Sequence, residues 1–288
     1  VESLNSLLIR LEDAQSNTGD LRMGSFDHLV AHCKSTQTVL FSALARHAFI
    51  AKSLLDSMVN SGLITRLELT NWFESVETVT SSFLIDVDLV RSNVMDIAEF
   101  LKKYGHLRPG TYDIESIRYD QMDWNSNTLG SRKSERSSNG QSFLGSSAMK
   151  KIQTALDENR FTSFTADELL SYCHNAIVGR EYSKFVFTQS VSEILERISD
   201  GASKLGLTKA EAAHSSLESW LQFFDQAGGV KNQNDIFAEI STNSKAYRVS
   251  KSIRLPEVIS DTAVLYVIPF QVSLPNFVTE KVVTGNII

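Results

Sequence analysis

The chain has 288 residues, 42% hydrophobic and 22% charged, with a net charge of −6. That is enough chain for one large core or two smaller ones, and its acidity excludes a global field drawing it to nucleic acid. No apolar run approaches the roughly 18 residues of a membrane span, no secretory signal pattern opens the chain, and Cys33 and Cys173 make no disulfide framework; the expected compartment is the cytoplasm.

With only 4 prolines, long helices are expected. A short helix over "SLNSLLIRLED" and a polar connector occupy residues 1–24. From Ser35 to Ser61, Leu40, Leu44, Ala48, Ala51, Leu55 and Met58 recur at steps of three and four. Phe41, Ala45, Phe49 and Leu54 widen that stripe, which predicts a helix buried on more than one side. Thr65 and Glu68 form a capping box, expected to open a second helix running to about Arg91 and folding back as a hairpin. A shorter helix, Val94 to Lys103, leads into "KKYGHLRPGTYDIESIRYD", which has no helical period.

After Asp120 a Ser-, Asn- and Gly-rich loop is expected. Helical spacing resumes near Ala148. A second capping box, Thr165 with Glu168, opens a helix to about Lys204, with Gly179 as its candidate interruption. A third, Thr208 with Glu211, opens a helix to about Phe224, and Asp235–Ser252 reads as the last. "AVLYVIPF" and "NFVTEKVVTGNI" are β-rich. The expected class is mainly α: a multi-helix bundle with long antiparallel helices and a small β element at the C-terminus. Its expected divisions are helical subdomains at 1–120 and 148–255, a loop at 121–147 and the β element at 256–288. The start at Val1 and the strand-like end read as an excised piece of a longer protein, although tag removal or processing also explains the first residue.

Catalytic signatures are missing: there is no GxGxxG after a strand, no GxxxxGK[ST], no HExxH, no GxSxG and no CxxC. His28 and His32 have a spacing that can bind metal but lack a third ligand nearby, so no metal site is assigned. Arg46 interrupts an apolar helix, either as a snorkelling side chain or as a group directed at an anion. Arg180 and Lys184 in "GREYSKFVF" are solvated basic residues or ligand contacts. The non-helical segment is the richest in chemistry. Arg108 must lie in an extended or turn conformation before Pro109, and His106 and Arg108 flank Leu107, so in extended chain they project to one side. With Tyr112, Asp113, Arg118 and Tyr119 they offer an imidazole, two guanidinium forks and phenol hydroxyls to an anion, or else lock a structural loop.

"FLKKYGHLRPGTYDIESIRYD", with "LFSALARHAFIAKSLLDSMVNSGLIT" before it and "FTADELLSYCHNAIVGREYSKFVFTQSVSEILERI" after it, resembles proteins similar to phosphoenolpyruvate synthase. That superfamily also holds pyruvate phosphate dikinase and rifampicin phosphotransferase. The resemblance covers most of the chain. It implies a helical middle region between an ATP-grasp domain and a swivelling phosphohistidine domain of the same polypeptide, a region that in the rifampicin enzyme binds the acceptor. The chain departs from a complete enzyme: it has no ATP-grasp half, and none of its histidines lies in a Thr-Gly-Gly…Ser-His context. The resemblance therefore implies a region inactive alone, with ATP and magnesium bound elsewhere and a small-molecule acceptor or phosphate-type anion as ligand. His106 and Arg108 would then face the cavity visited by the phosphohistidine. The other reading is a helical interaction or regulatory module with no substrate of its own.

Overall fold

The computed structural model describes residues 3–16, 24–124, 144–225, 231–253 and 261. Its elements are α1 (Leu4–Ser16), α2 (Phe26–His32), a π-helical turn (Cys33–Gln37), α3 (Thr38–Asn60), α4 (Arg66–Ser75), α5 (Val79–Arg91), α6 (Ile97–Tyr104), a 3-10 turn (Tyr119–Gln121), α7 (Ser146–Glu158), α8 (Ala166–Lys204), α9 (Lys209–Ala212), α10 (Leu217–Phe224) and α11 (Lys231–Ser252). Among the described residues there is no strand. The expected β element falls outside them apart from Asp261, as does most of the expected loop at 121–147.

Helix α8 is the spine. Its 39 residues span about 58 Å, and the Thr165–Glu168 capping box starts it as expected. It runs antiparallel to the α2–α3 helix. The Cys173 thiol lies 3.9 Å from the Ala51 carbonyl, Phe41 and Phe187 stack at 5.7 Å, and Arg197 Nη1 donates to the Gly24 carbonyl at 2.8 Å. Gly179 does not interrupt α8. A Cβ there would lie 2.8 Å from Leu8 Cδ2 and 3.3 Å from Leu44 Cδ2, so the glycine admits close approach of α1 and α3.

The expected stripe of α3 is buried, but on one side only. Phe49 is 61% and Ile50 51% exposed, which corrects the expectation of a helix enclosed on several sides. The helical run starts earlier than Ser35, at Phe26, and continues through the π turn. Taken whole, Phe26–Asn60 has the length and composition of a membrane span, contrary to the reading of the sequence by uninterrupted runs. A core helix passes the same test, and Leu40, Leu44, Ala51 and Leu55 here pack in the core with Cys173 and Ala176 of α8.

Two expected helices are each broken in two. Val76 leaves the helix, and Thr78 caps a new one by accepting from the Ser81 N–H while Ser81 Oγ accepts from the Thr78 N–H. This is a capping box with serine in place of Glu or Gln, so the usual pattern misses it. The helix opened at Thr208 stops at Ala212. Ser216 caps α10, and Ser215 Oγ takes the Trp220 indole N–H at 2.6 Å.

The main core joins α1, α3, α4, α7 and α8. A second joins α2, the C-terminal half of α8, α9, α10 and α11 with Ile114 from the loop after α6. The stretches on either side of 121–147 therefore share their cores.

Candidate functional site

The non-helical segment is a compact loop whose two ends meet. Tyr119 N–H donates to the Leu107 carbonyl at 2.9 Å and Asp120 N–H to Gly105 at 3.1 Å. Gly105 is needed at this crossing, since a Cβ would sit 2.4 Å from the Leu101 oxygen and 2.9 Å from Asp120 Cβ. Asp113 Oδ1 takes the Glu115 N–H, and Ser116 Oγ takes the Gly110 N–H, both at 2.9 Å. Ile114 is buried in the second core. Such a loop is packed by its own side chains and held by the scaffold.

Arg108 is its keystone. The side chain is 1% exposed. Nη1 donates to the carbonyls of Ser116 at 3.1 Å and Asp113 at 3.3 Å. Nη2 donates to Ser192 Oγ at 3.1 Å and Glu196 Oε1 at 2.8 Å on α8. Burial pulls the Glu196 carboxyl upward, but hydrogen bonds from Gln121 and Arg108 outweigh it and hold the group below the usual carboxylate range. His106 is also buried, with its ring edge-on to Phe185 at 4.8 Å. The expected pair of anion-facing groups is thus turned inward. Extended alternation put both on one side, and the side is the protein interior.

The remaining candidates scatter. Tyr112 is 62% exposed, its ring 6.5 Å from Phe187. Asp113 closes its own turn. Arg118 Nε donates to Asp120 Oδ1 at 2.9 Å. Arg46 lies exposed on α3. Arg180 covers the Phe49 ring at 5.5 Å and lies 3.9 Å from Glu181. His28 and His32 share α2, and among the described residues no group of three or more His, Cys, Asp or Glu converges on a metal position.

Two of the singled-out stretches do meet, around a cleft of ≈ 250 Å³. The loop contributes Leu107, Arg108, Thr111 and Tyr119, and α8 contributes Glu181, Lys184, Phe185 and Thr188. The third wall is Val79, Thr80 and Phe83 of α5. Phe83 is fixed by Tyr104 at 5.1 Å and Tyr119 at 5.8 Å. Tyr104 in turn donates to the buried Asp86 carboxylate at 2.7 Å, which also pairs with Lys103 at 2.9 Å. The walls are largely apolar, and the polar groups are three threonines, Tyr119, Glu181, Lys184 and Arg108. This is the usual make-up of a small-molecule site. Sequence reasoning found Arg108, Tyr119 and Lys184 but not the α5 wall, Thr111, Glu181 or Thr188. The apolar α5 positions read as core, and no local signal marks a residue that is apolar because it lines a cleft.

Compared with known protein families, curated proteins and solved structures, the chain has no significant match. The likeness to phosphoenolpyruvate synthase-like proteins therefore rests on the quoted residues alone.

Proposed function

We propose that the chain is the central helical region of an ATP-dependent, phosphoenolpyruvate synthase-like phosphotransferase, and that the cleft seats the phosphoryl acceptor. The observation that carries this reading is the convergence of the Gly105–Asp120 loop, which bears the most specific part of the resemblance, with the α8 stretch at Glu181–Thr188 on one cleft. Holding an acceptor oxygen in line with a phosphohistidine supplies positioning, the main demand of phosphoryl transfer. Apolar walls displace water, which would otherwise compete as acceptor. Arg108 serves here as the clamp that shapes the wall, since its terminal nitrogens are committed to the loop and α8. ATP and magnesium belong, in this reading, to a nucleotide-binding domain of the same polypeptide.

The test uses a polypeptide carrying all three regions. Thr111→Trp fills the cleft from the loop side. Expected is normal phosphorylation of the histidine by ATP with acceptor-dependent turnover lost; unimpaired turnover overturns the reading.

The alternative, an interaction module, draws support from one feature: Val39, Phe49 and Ile50 are exposed along α3. Phe49→Asp with Ile50→Asp would abolish a complex formed through that face and leave ligand binding intact.

A further inference from the structure

The cleft pairs opposite charges that do not satisfy each other. Glu181 and Lys184 stand three residues apart on α8, hence as neighbours on one helix face, and both line the cleft. No ion pair joins them, and Lys184 is exposed with no hydrogen-bond or ion-pair partner among the described residues. Glu181 has only long contacts, 3.9 Å from Arg180 and 3.5 Å from the Thr80 hydroxyl. Below them Arg108 is buried, and its Nε has no partner among the described residues. A lone acid in the cleft would meet Glu181 and a lone amine would meet Lys184. A molecule with both an anionic acceptor and a neutral donor satisfies the two.

Shape narrows the class. Phe83, Phe185 and Tyr119 line the cleft, and an aromatic lining favours a ring. The volume of ≈ 250 Å³ lies below the roughly 300–1,000 Å³ of pockets that bury drug-sized ligands. One ring with its substituents fits that space. We infer that the cleft takes a compact aromatic hydroxy acid, with its carboxylate on Lys184 and its hydroxyl donating to Glu181. Glu181 already has the Arg180 guanidinium 3.9 Å away, so a neutral hydroxyl is assigned as the donor rather than an ammonium. The inference rests on the reading of this cleft as the acceptor site, and it names the chemical class of that acceptor.

Calorimetric titration of the full chain with 4-hydroxybenzoate, benzoate, phenol and phenylalanine tests it. Expected is saturable binding of 4-hydroxybenzoate, about tenfold tighter than that of benzoate or phenol, because each lacks one charge-assisted hydrogen bond. Lys184→Gln should erase the advantage over phenol, Glu181→Ala the advantage over benzoate, and Thr111→Trp all binding. Equal affinities for 4-hydroxybenzoate, benzoate and phenol, all lost in Thr111→Trp, would overturn the charge assignment and leave the cleft a ligand site. Tighter binding of phenylalanine would overturn the choice of hydroxyl. Binding unaffected by Thr111→Trp, or no binding of any probe, overturns the inference, and the acceptor reading then stands or falls on the transfer assay.

Discussion

Arg108 shows how much one side chain can hold. It ties two loop carbonyls to Ser192 and Glu196 of α8 from a position shielded from water. Arg108→Met would strand the partly buried Glu196 and leave both carbonyls short of a donor. Removing one partner of such a pair costs about 3–5 kcal/mol. Urea unfolding should show a lower midpoint at an unchanged slope. Arg108→Lys should recover little, because an ammonium lacks the fork that reaches both sides. The same pair sets a pH dependence. Glu196 has a folded pKa below its unfolded value, so its contribution is full above the unfolded value and is lost as pH falls through the folded one. Stability measured from pH 7 down to about pH 3 should therefore decline, and Glu196→Gln should flatten the decline. Part will remain, because the capping glutamates Glu68, Glu168 and Glu211 are lowered by their own N-cap hydrogen bonds and share the sign.

At the scale of the element, two glycines of α8 separate propensity from packing. Alanine is favoured over glycine in a helix by about 1 kcal/mol. At Gly179 the added methyl meets Leu8 Cδ2, the end of a flexible side chain. At Gly201 it meets Trp220 Cζ3 at 2.9 Å and Phe224 Cζ at 3.0 Å, both on rigid rings of α10. Gly179→Ala should leave Tm within a few degrees or raise it, and Gly201→Ala should lower it, since overpacking costs about 1–3 kcal/mol. The break between α4 and α5 matters for the cleft because it sets the wall formed by Val79, Thr80 and Phe83. Thr78→Ala removes one half of the reciprocal cap and should cost about 1 kcal/mol by the same unfolding assay.

Across the whole molecule, both cysteines are buried and free. Burial pushes the Cys173 thiol up to about 12 and the Cys33 thiol to about 11. Neither is a thiolate at neutral pH, so neither is a nucleophile in the native state. Iodoacetamide should label both only in denaturant. Faster labelling of Cys33 than of Cys173 without denaturant would mean that the π turn opens apart from the main core, since local openings differ in free energy across a fold. The two sites report separate regions: Cys173 lies in the core of α1, α3, α4, α7 and α8, and Cys33 opens the π turn after α2.

By itself the sequence determined the helical class, the buried stripe of α3, the capping boxes at Thr65, Thr165 and Thr208, and the loop at Gly105–Asp120 as the segment unlike the rest. These are local properties: spacing, cap chemistry and glycine–proline punctuation act over a few residues. Only the tertiary structure decided that α8 passes Gly179 unbroken, that Thr78 and Ser216 start new helices, and that His106 and Arg108 point inward. It also brought Phe83, Arg108 and Lys184 to one cleft. Three of these depend on a partner distant in the chain, Leu8 for Gly179, Glu239 for Ser216 and Glu196 for Arg108, whereas the Thr78 cap is local and escapes the pattern because serine stands where Glu or Gln is usual. Which face of a polar loop is buried follows from the neighbour that can satisfy it, and spacing along the chain carries no information about that neighbour.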